Sequence, residues 1–461
     1  MTKTLLRDSK ATRWMVLLVV SLVMFAAYVA SDNIFAVETA LTTSVADGGA
    51  YGLLDSEYSS LAGAYSIFNV YFLMLILGGI ILDRMGIRFT GIASTALMVV
   101  GIGLMTWSFF DLRSIVAEGA EMPIVNFLGD DLRRPVLFAV IGMGVYGVGA
   151  EIAGITVTKI IAKWFVGYEM ALAMGLQLSL ARLGTGLAYG ATPAVVKMAG
   201  GNVGIAVLVG LVLLMLGFVL YLVYCIYDRK LDRQIAETGS AAGDDADEEK
   251  FNLKDVIAVI KNPAFWLIAL LCLLFYAAVN PFLKYSTGMM VGKFGIDPTL
   301  AGMFPMILPM GCIILSPLFG SIYDKKGHGA DLMIFGAALI AAVHLCFALI
   351  PGDSNAVFPI ILMVLLGIGF SLLPAAMWPS VAKIIPARQL GTAMALTFYI
   401  QNIGFIFVPK AIRAIQASTE GYFSFSIFFT ALGVCAILLS LGIKLLDRKK
   451  NYGLQLPNIE K

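Results

Sequence analysis

The sequence predicts an all-α membrane protein whose twelve transmembrane helices form two pseudo-symmetric six-helix bundles. Of 461 residues, 59% are hydrophobic and only 13% are Asp, Glu, Lys or Arg, and the mean hydropathy is +0.89. Soluble domains carry about a quarter charged residues, so this apolar excess belongs in a bilayer and not in a soluble core. The length accommodates twelve spans of about 20 residues with loops between them. Motifs of the first half recur in the second.

Taken in order, apolar runs begin near Trp14, Tyr58, Arg88, Pro135, Tyr168 and Val203, then near Pro263, Thr299, Ala330, Ala356, Gly391 and Tyr422. The first run is too long, and too poorly followed by small residues, for a cleaved signal peptide, so it remains as a span. A connection from Thr39 to Glu57 without Lys or Arg follows it. Residues 1–227 are expected to form the first bundle, 228–262 a solvated cytoplasmic linker around Asp244-Asp245-Ala246-Asp247-Glu248-Glu249, and 263–461 the second bundle. Lys and Arg concentrate in the loops on the side of both termini, which places the termini in the cytoplasm. With 32 basic and 30 acidic residues the balance implies no nucleic-acid partner. Five cysteines in apolar runs, without a CxxC pair, and two histidines give no metal or cofactor expectation. No HExxH, GxSxG or P-loop is present, so the chain is not read as an enzyme.

The repetition is most visible after the second and eighth spans. Gly79-Ile80-Ile81-Leu82-Asp83-Arg84-Met85-Gly86-Ile87-Arg88 and Gly320-Ser321-Ile322-Tyr323-Asp324-Lys325-Lys326-Gly327 both read G-x-x-x-D-[RK]-x-G. Met170-Ala171-Leu172 with Gln177 matches Met394-Ala395-Leu396 with Gln401. Duplicated six-helix halves around a central site are a transporter plan. The first loop resembles the signature of the major facilitator superfamily, and its weaker second copy strengthens the match. The resemblance implies that Gly79, Asp83, Arg84, Gly86, Arg88 and Asp324 serve gating. Asp83 would hold the cytoplasmic side closed by meeting a helix N-terminus or a basic side chain.

A narrower resemblance runs over most of the chain. Asp32-Asn33, Gly147-Val148-Gly149-Ala150-Glu151, Trp164-Phe165, Gly175-Leu176-Gln177-Leu178-Ser179-Leu180-Ala181-Arg182-Leu183-Gly184, Met377-Trp378-Pro379, Gln389-Leu390-Gly391-Thr392-Ala393 and Ile400-Gln401-Asn402 resemble the type 1 family of major facilitator superfamily domain-containing proteins. Its best-known members are lysosomal dipeptide transporters, which implies uniport of dipeptides by alternating access. No Asn-x-Ser/Thr sequon occurs, and Met1 to Leu6 carries no acidic dileucine signal. The expected location is therefore a bacterial inner (cell) membrane. The sequence is silent on an accessory subunit.

Four strongly ionisable side chains fall well inside the spans: Asp32, Glu151, Arg182 and Lys284. A charge at the bilayer centre costs about 2.5 to 3.5 kcal/mol on insertion scales, so each needs a partner, a watery cavity or a function. Glu151 and Arg182 lie at mid-depth on consecutive spans, where a substrate between the halves would sit. Arg offers a planar fork for a carboxylate and Glu accepts an ammonium, which together describe a small zwitterion. The plainer alternative is a mutual ion pair. The second half has no copy of the two, although a packing device would be expected twice, whereas a substrate clamp need occur only once.

Asp32 and Lys284 lie about 10 Å toward the outer ends of the first and seventh spans, as an outer gate or an accessory end of the site. Lys284 can instead snorkel, and Asp32 can carry a proton. Gln177, Gln401 and Asn402 are candidates for substrate contacts or for helix-to-helix bonds. Tyr28, Tyr276 and Trp378 are candidate cavity walls. A proton-coupled organic-anion or amino-acid symporter, with Arg182 gripping the anion, is the alternative function.

Overall fold

The computed structural model describes residues 5–165, 168–238, 253–386 and 389–457. Among these, ten helices are long and apolar enough to cross a membrane, and the bent pair Asp55–Tyr71 with Met74–Leu82 adds an eleventh. Met170–Met198, which carries Gln177 and Arg182, completes twelve as the fifth span. The chain is a multi-pass integral membrane protein. Side chains such as Leu216, Ile314, Leu438 and Leu445 stand more than half exposed on its flanks, where lipid tails rather than water suit them.

Local chemistry sets the span ends. The seventh span, Pro263–Phe294, starts where the Asn262 side chain accepts the Ala264 N–H, with Pro263 in the first turn, and stops at Gly295 in the left-handed region. At the start of the third span (Arg84–Glu118), where the chain turns in from the second, Gly86 has φ 75° and ψ 170°, a reversal open to glycine. Its repeat copy Gly327 has φ 72° between the eighth span, Met303–Lys326, and the ninth, Gly329–Leu349. The repeated glycine thus serves the same turn in both halves.

Several boundaries differ from the sequence reading. The first span, Lys10–Asp32, continues through a 3-10 turn into the short helix Glu38–Thr42, because Ile34, Phe35, Ala36 and Val37 are all buried. The second span breaks at Phe72 and Leu73, where Leu73 has φ 54° and the axis bends by 59°. The sixth span, Val203–Thr238, runs past Asp228, the expected start of the linker. Asp228 is fully buried as a charge hub, bonded by Lys163 Nζ at 2.7 Å, Arg88 at 2.9 Å, Tyr224 at 3.1 Å and Trp164 at 3.2 Å. The acidic run 244–249 lies outside the described residues. The all-helical expectation also misses one feature. Ile124–Phe127 and Asp130–Arg133 form an antiparallel hairpin between the third and fourth spans, turning on Leu128 and Gly129 with φ of 53° and 88°.

Twelve crossings bring both termini to one face of the molecule, the terminal face. Toward the opposite face the two halves are bonded together. Asp130 of the hairpin takes Lys410 at 3.0 Å and Arg413 at 2.8 Å from the eleventh span, Leu390–Ser418. Glu38 accepts the Gly288 N–H at 2.8 Å. Gly302, at the start of the eighth span, lies so close to the fifth that a Cβ would meet the Tyr189 carbonyl at 2.2 Å. On the terminal face the described charge clusters stay within one half: Arg13 with Glu169, Arg88 and Lys163 with Asp228 and Asp232, and Lys444 with Asp331.

Candidate functional site

Between the halves lies a cavity of about 390 Å³, a size typical of small-molecule sites. Helical periodicity supplies its walls. From the fourth span, Arg134–Trp164, come Met143, Tyr146, Ala150, Glu151, Gly154, Ile155 and Thr158; from the fifth, Gln177, Leu178, Ala181, Arg182, Thr185 and Tyr189. Each set repeats every three or four residues, so one face of each helix is turned inward. Leu178 and Thr158, on the terminal side of Arg182 and Glu151, are exposed, so the cavity opens toward the terminal face.

Nine of the ten residues proposed from sequence line this cavity: Tyr28, Asp32, Glu151, Gln177, Arg182, Tyr276, Lys284, Trp378 and Gln401. The tenth, Asn402, is fully buried behind it. Its amide donates to Glu151 Oε1 at 3.3 Å and to the Phe398 carbonyl at 2.9 Å, while its oxygen accepts from Ser66 at 2.6 Å. Asn402 therefore positions Glu151 from the other half. Gln401 accepts the Cys272 thiol at 3.4 Å. Trp378 stacks on Phe398 and donates to the Tyr276 hydroxyl at 3.3 Å.

The four charges are brought together without being paired. Among the described residues Glu151 and Arg182 make no ion pair within 4 Å, and neither do Asp32 and Lys284. Arg182 makes no hydrogen bond to protein among them, and its guanidinium lies 5.2 Å over the Phe370 ring. Asp32 accepts from Ser31 at 3.0 Å. Lys284 does not reach a bulk-water interface by snorkelling: its ammonium is bonded to the Ala62 carbonyl and lies 4.5 Å over the Phe35 ring. Tyr58 donates to the Lys284 carbonyl, so this lysine sits on the seam between the halves. The mutual ion pair allowed by sequence is absent, and Glu151 and Arg182 each offer open valences to a solute.

The signature-loop residues lie apart from the cavity. Arg88 bonds Asp228 and Asp232, and Arg84 is exposed. The Asp83 side chain lies outside the described residues. Asp324 is partly buried and has an interaction partner. At Gly79 and at its copy Gly320 a Cβ would meet nothing within 4 Å.

Sequence reasoning missed Ser31, Thr185, Asn280 and Thr158 as wall residues, although Thr185 follows Arg182 by one turn on the same face. It also missed the bonds that close the opposite face. Burial raises the Asp130 carboxyl, but the bonds from Lys410 and Ser60 and the charges of Lys410 and Arg413 outweigh it and hold the group below the usual carboxylate range.

The sequence model of the Major Facilitator Superfamily matches residues 10–409. The lysosomal dipeptide transporter MFSD1 of Danio rerio is 28% identical over 96% of this chain and 89% of its own length. The Homo sapiens protein of that name is 27% identical over 95% and 86%. Among solved structures, the inward open conformation of the xylose transporter XylE from E. coli aligns with TM-score 0.70 at 16% identity, covering 94% of this chain and 96% of that one. A POT family transporter in complex with a thioalcohol conjugated peptide aligns with TM-score 0.65 at 15% identity, covering 94% and 96%. The match across most of the sequence, on a twelve-helix frame with a central cavity, shows that this chain belongs to the major facilitator superfamily of secondary transporters.

Proposed function

We propose that the protein carries dipeptides across the membrane as a uniporter by alternating access, with Arg182 holding the substrate carboxylate and Glu151 its ammonium. The observation that carries this reading is the pair of unpaired, opposite charges on neighbouring spans in one cavity. A partly buried guanidinium without an anion is costly, and a ligand carboxylate satisfies it through two parallel bonds. The names of the relatives, dipeptide transporters at 27 and 28% identity, support the substrate class. Asp32 and Lys284 form the far end of the site, with Tyr28, Tyr276 and Trp378 as walls and Gln177 and Gln401 as polar contacts. The membrane is a bacterial inner membrane with the terminal face cytoplasmic, so the state described is inward-open. A thermal-shift screen of the purified protein against dipeptides, amino acids and organic anions tests the substrate class. A ligand at 100 times its dissociation constant stabilises by about 2.7 kcal/mol. Stabilisation by organic anions alone favours the symport alternative.

Two predictions concern the gates. Gly79 and Gly320 face open space in this state, as expected of small residues whose neighbours arrive only when the cytoplasmic side closes. Gly79→Val or Gly320→Val should leave binding intact and slow exchange in liposomes by at least about tenfold, about 1.4 kcal/mol on the barrier. Equal loss of binding and exchange would mean misfolding instead.

Asp130 latches the opposite face. Since its pKa is depressed by the latch, the latch is intact above the free carboxylate value of about 3.9 and is lost as pH falls through the lower latched value. Asp130→Asn should therefore raise the outward-open population at neutral pH, read as faster thiol labelling of a cysteine placed in the cavity from that side. Unchanged labelling would remove Asp130 from the gate.

A further inference from the structure

Glu38 has no part in the cavity. It begins the short helix that prolongs the first span toward the opposite face, and it is buried against the seventh span of the other half. Its Oε2 accepts the Gly288 N–H at 2.8 Å and lies 3.4 Å from the Thr287 hydroxyl. Gly288 makes room for it, since a Cβ there would come within 2.6 Å of the carboxyl group. The titratable groups facing it are Asp55 and Tyr58 of the second span, Tyr189 of the fifth, Tyr285 of the seventh and Tyr422 before the twelfth. All are acids, and Glu38 makes no ion pair among the described residues.

The hydroxyl of Thr287 has one hydrogen, and the Phe35 carbonyl at 2.9 Å is a nearer acceptor for it than Glu38 at 3.4 Å. A carbonyl gives no hydrogen back, so the hydroxyl oxygen meets Glu38 with its lone pairs. A carboxylate in that place is repelled, whereas the O–H of a carboxylic acid is accepted. Removing a carboxylate from water without a cation is also strongly unfavourable. When the halves part on this side, Glu38 leaves Gly288 and Thr287 and regains water.

We propose that Glu38 is a proton-binding site on the seam between the halves: it takes up a proton from the opposite side as that face closes and returns it there on opening. Because Glu38 does not line the cavity, the proton does not pass to the terminal side. Acid on the opposite side thus favours closure and changes the rate of transport without driving accumulation. The inference rests on the alternating-access part of the function proposed above, but not on the dipeptide.

The test is an electron-electron distance measurement on the full chain in lipid nanodiscs. Spin labels are placed at Asp47→Cys and Glu420→Cys, with Cys346 and Cys435 replaced by serine, and no substrate is added. Closure that binds one proton raises the closed-to-open ratio by up to about tenfold per pH unit of acidification. That rise is expected in the wild-type background as pH falls from neutrality toward the free glutamate value of about 4.3. Glu38→Gln, which has no proton to take up or release, should be independent of pH. Gly288→Ala should favour the open form at every pH in the range. Asp130, the carboxylate of the hairpin latch, acts with the opposite sign and only in stronger acid, so it does not imitate the effect. A pH response in Glu38→Gln equal to that of the wild type overturns the proposal, and so does a flat wild type. Alternating access itself falls only if Asp130→Asn also fails to open this face, and a failure of the dipeptide reading leaves the measurement untouched.

Discussion

Arg182→Ala should weaken dipeptide binding by about 10-fold to 150-fold, the equivalent of about 1.5 to 3 kcal/mol for one charge-assisted hydrogen-bonding group. Arg182→Lys should fail almost as badly, because a point charge on a flexible stem does not reproduce a planar fork. The variant should fold, since the guanidinium makes no hydrogen bond to protein among the described residues and its loss orphans no partner. Binding by isothermal titration, with the thermal midpoint of the unliganded protein as a control, checks both statements. Full affinity in Arg182→Ala would make the guanidinium a bystander of the cavity.

Arg133→Ala should lower stability by about 3 to 5 kcal/mol, the cost of leaving a buried charge without its partner. Glu57 is fully buried in the first turn of the second span. Arg133 meets it with Nε at 2.7 Å and with Nη2, and donates its backbone N–H to the same carboxylate at 3.1 Å. The remaining guanidinium bonds go to the Tyr51 and Gly52 carbonyls. This fork fastens the base of the hairpin that carries Asp130 to Lys410 and Arg413, so its loss should also free the outer latch. Arg133→Lys should recover part of the stability. The added change Glu57→Gln in Arg133→Ala should recover some as well, because it removes the orphaned charge. A thermal midpoint unchanged in Arg133→Ala would contradict the assignment.

Much of this was legible in the sequence for a physical reason. Long apolar runs have few alternatives to crossing a bilayer, and a charge within one stands out against its neighbours. Glu151, Arg182, Asp32 and Lys284 were visible in that way, and all four line the cavity. Gly86 and Gly327 were visible as a repeated pair, and both hold a positive φ.

What was not legible depends on partners distant along the chain. Asp228 reads as the start of a polar linker because Arg229 and Lys230 follow it, and only Lys163 and Arg88, brought in from two other spans, make it a buried hub. Glu38 sits at the edge of a loop-like stretch, and its burial against Gly288 depends on the other half. The hairpin escaped because its strands are four residues each and its turn uses Leu128, a residue seldom found at positive φ. Asn402 reads from sequence as either a substrate contact or a helix-to-helix bond, and its bonds to Glu151 and Ser66, which favour the second, depend on partners far along the chain.

The central claim is that Glu151 and Arg182 grip the two ends of a zwitterion, and a ligand-and-mutant cycle tests it most directly. Dissociation constants are measured for one bound dipeptide, its N-acetyl form and its C-terminal amide, against the wild type, Glu151→Gln and Arg182→Lys. Each blocked ligand should bind the wild type at least about tenfold more weakly than the parent. Glu151→Gln should harm the free dipeptide more than the acetylated one, and Arg182→Lys the free dipeptide more than the amide, because each variant and its matched block remove the same bond. Blocked ligands that bind as well as the parent, or losses that simply add, would contradict the clamp and leave the two charges as parts of the cavity wall.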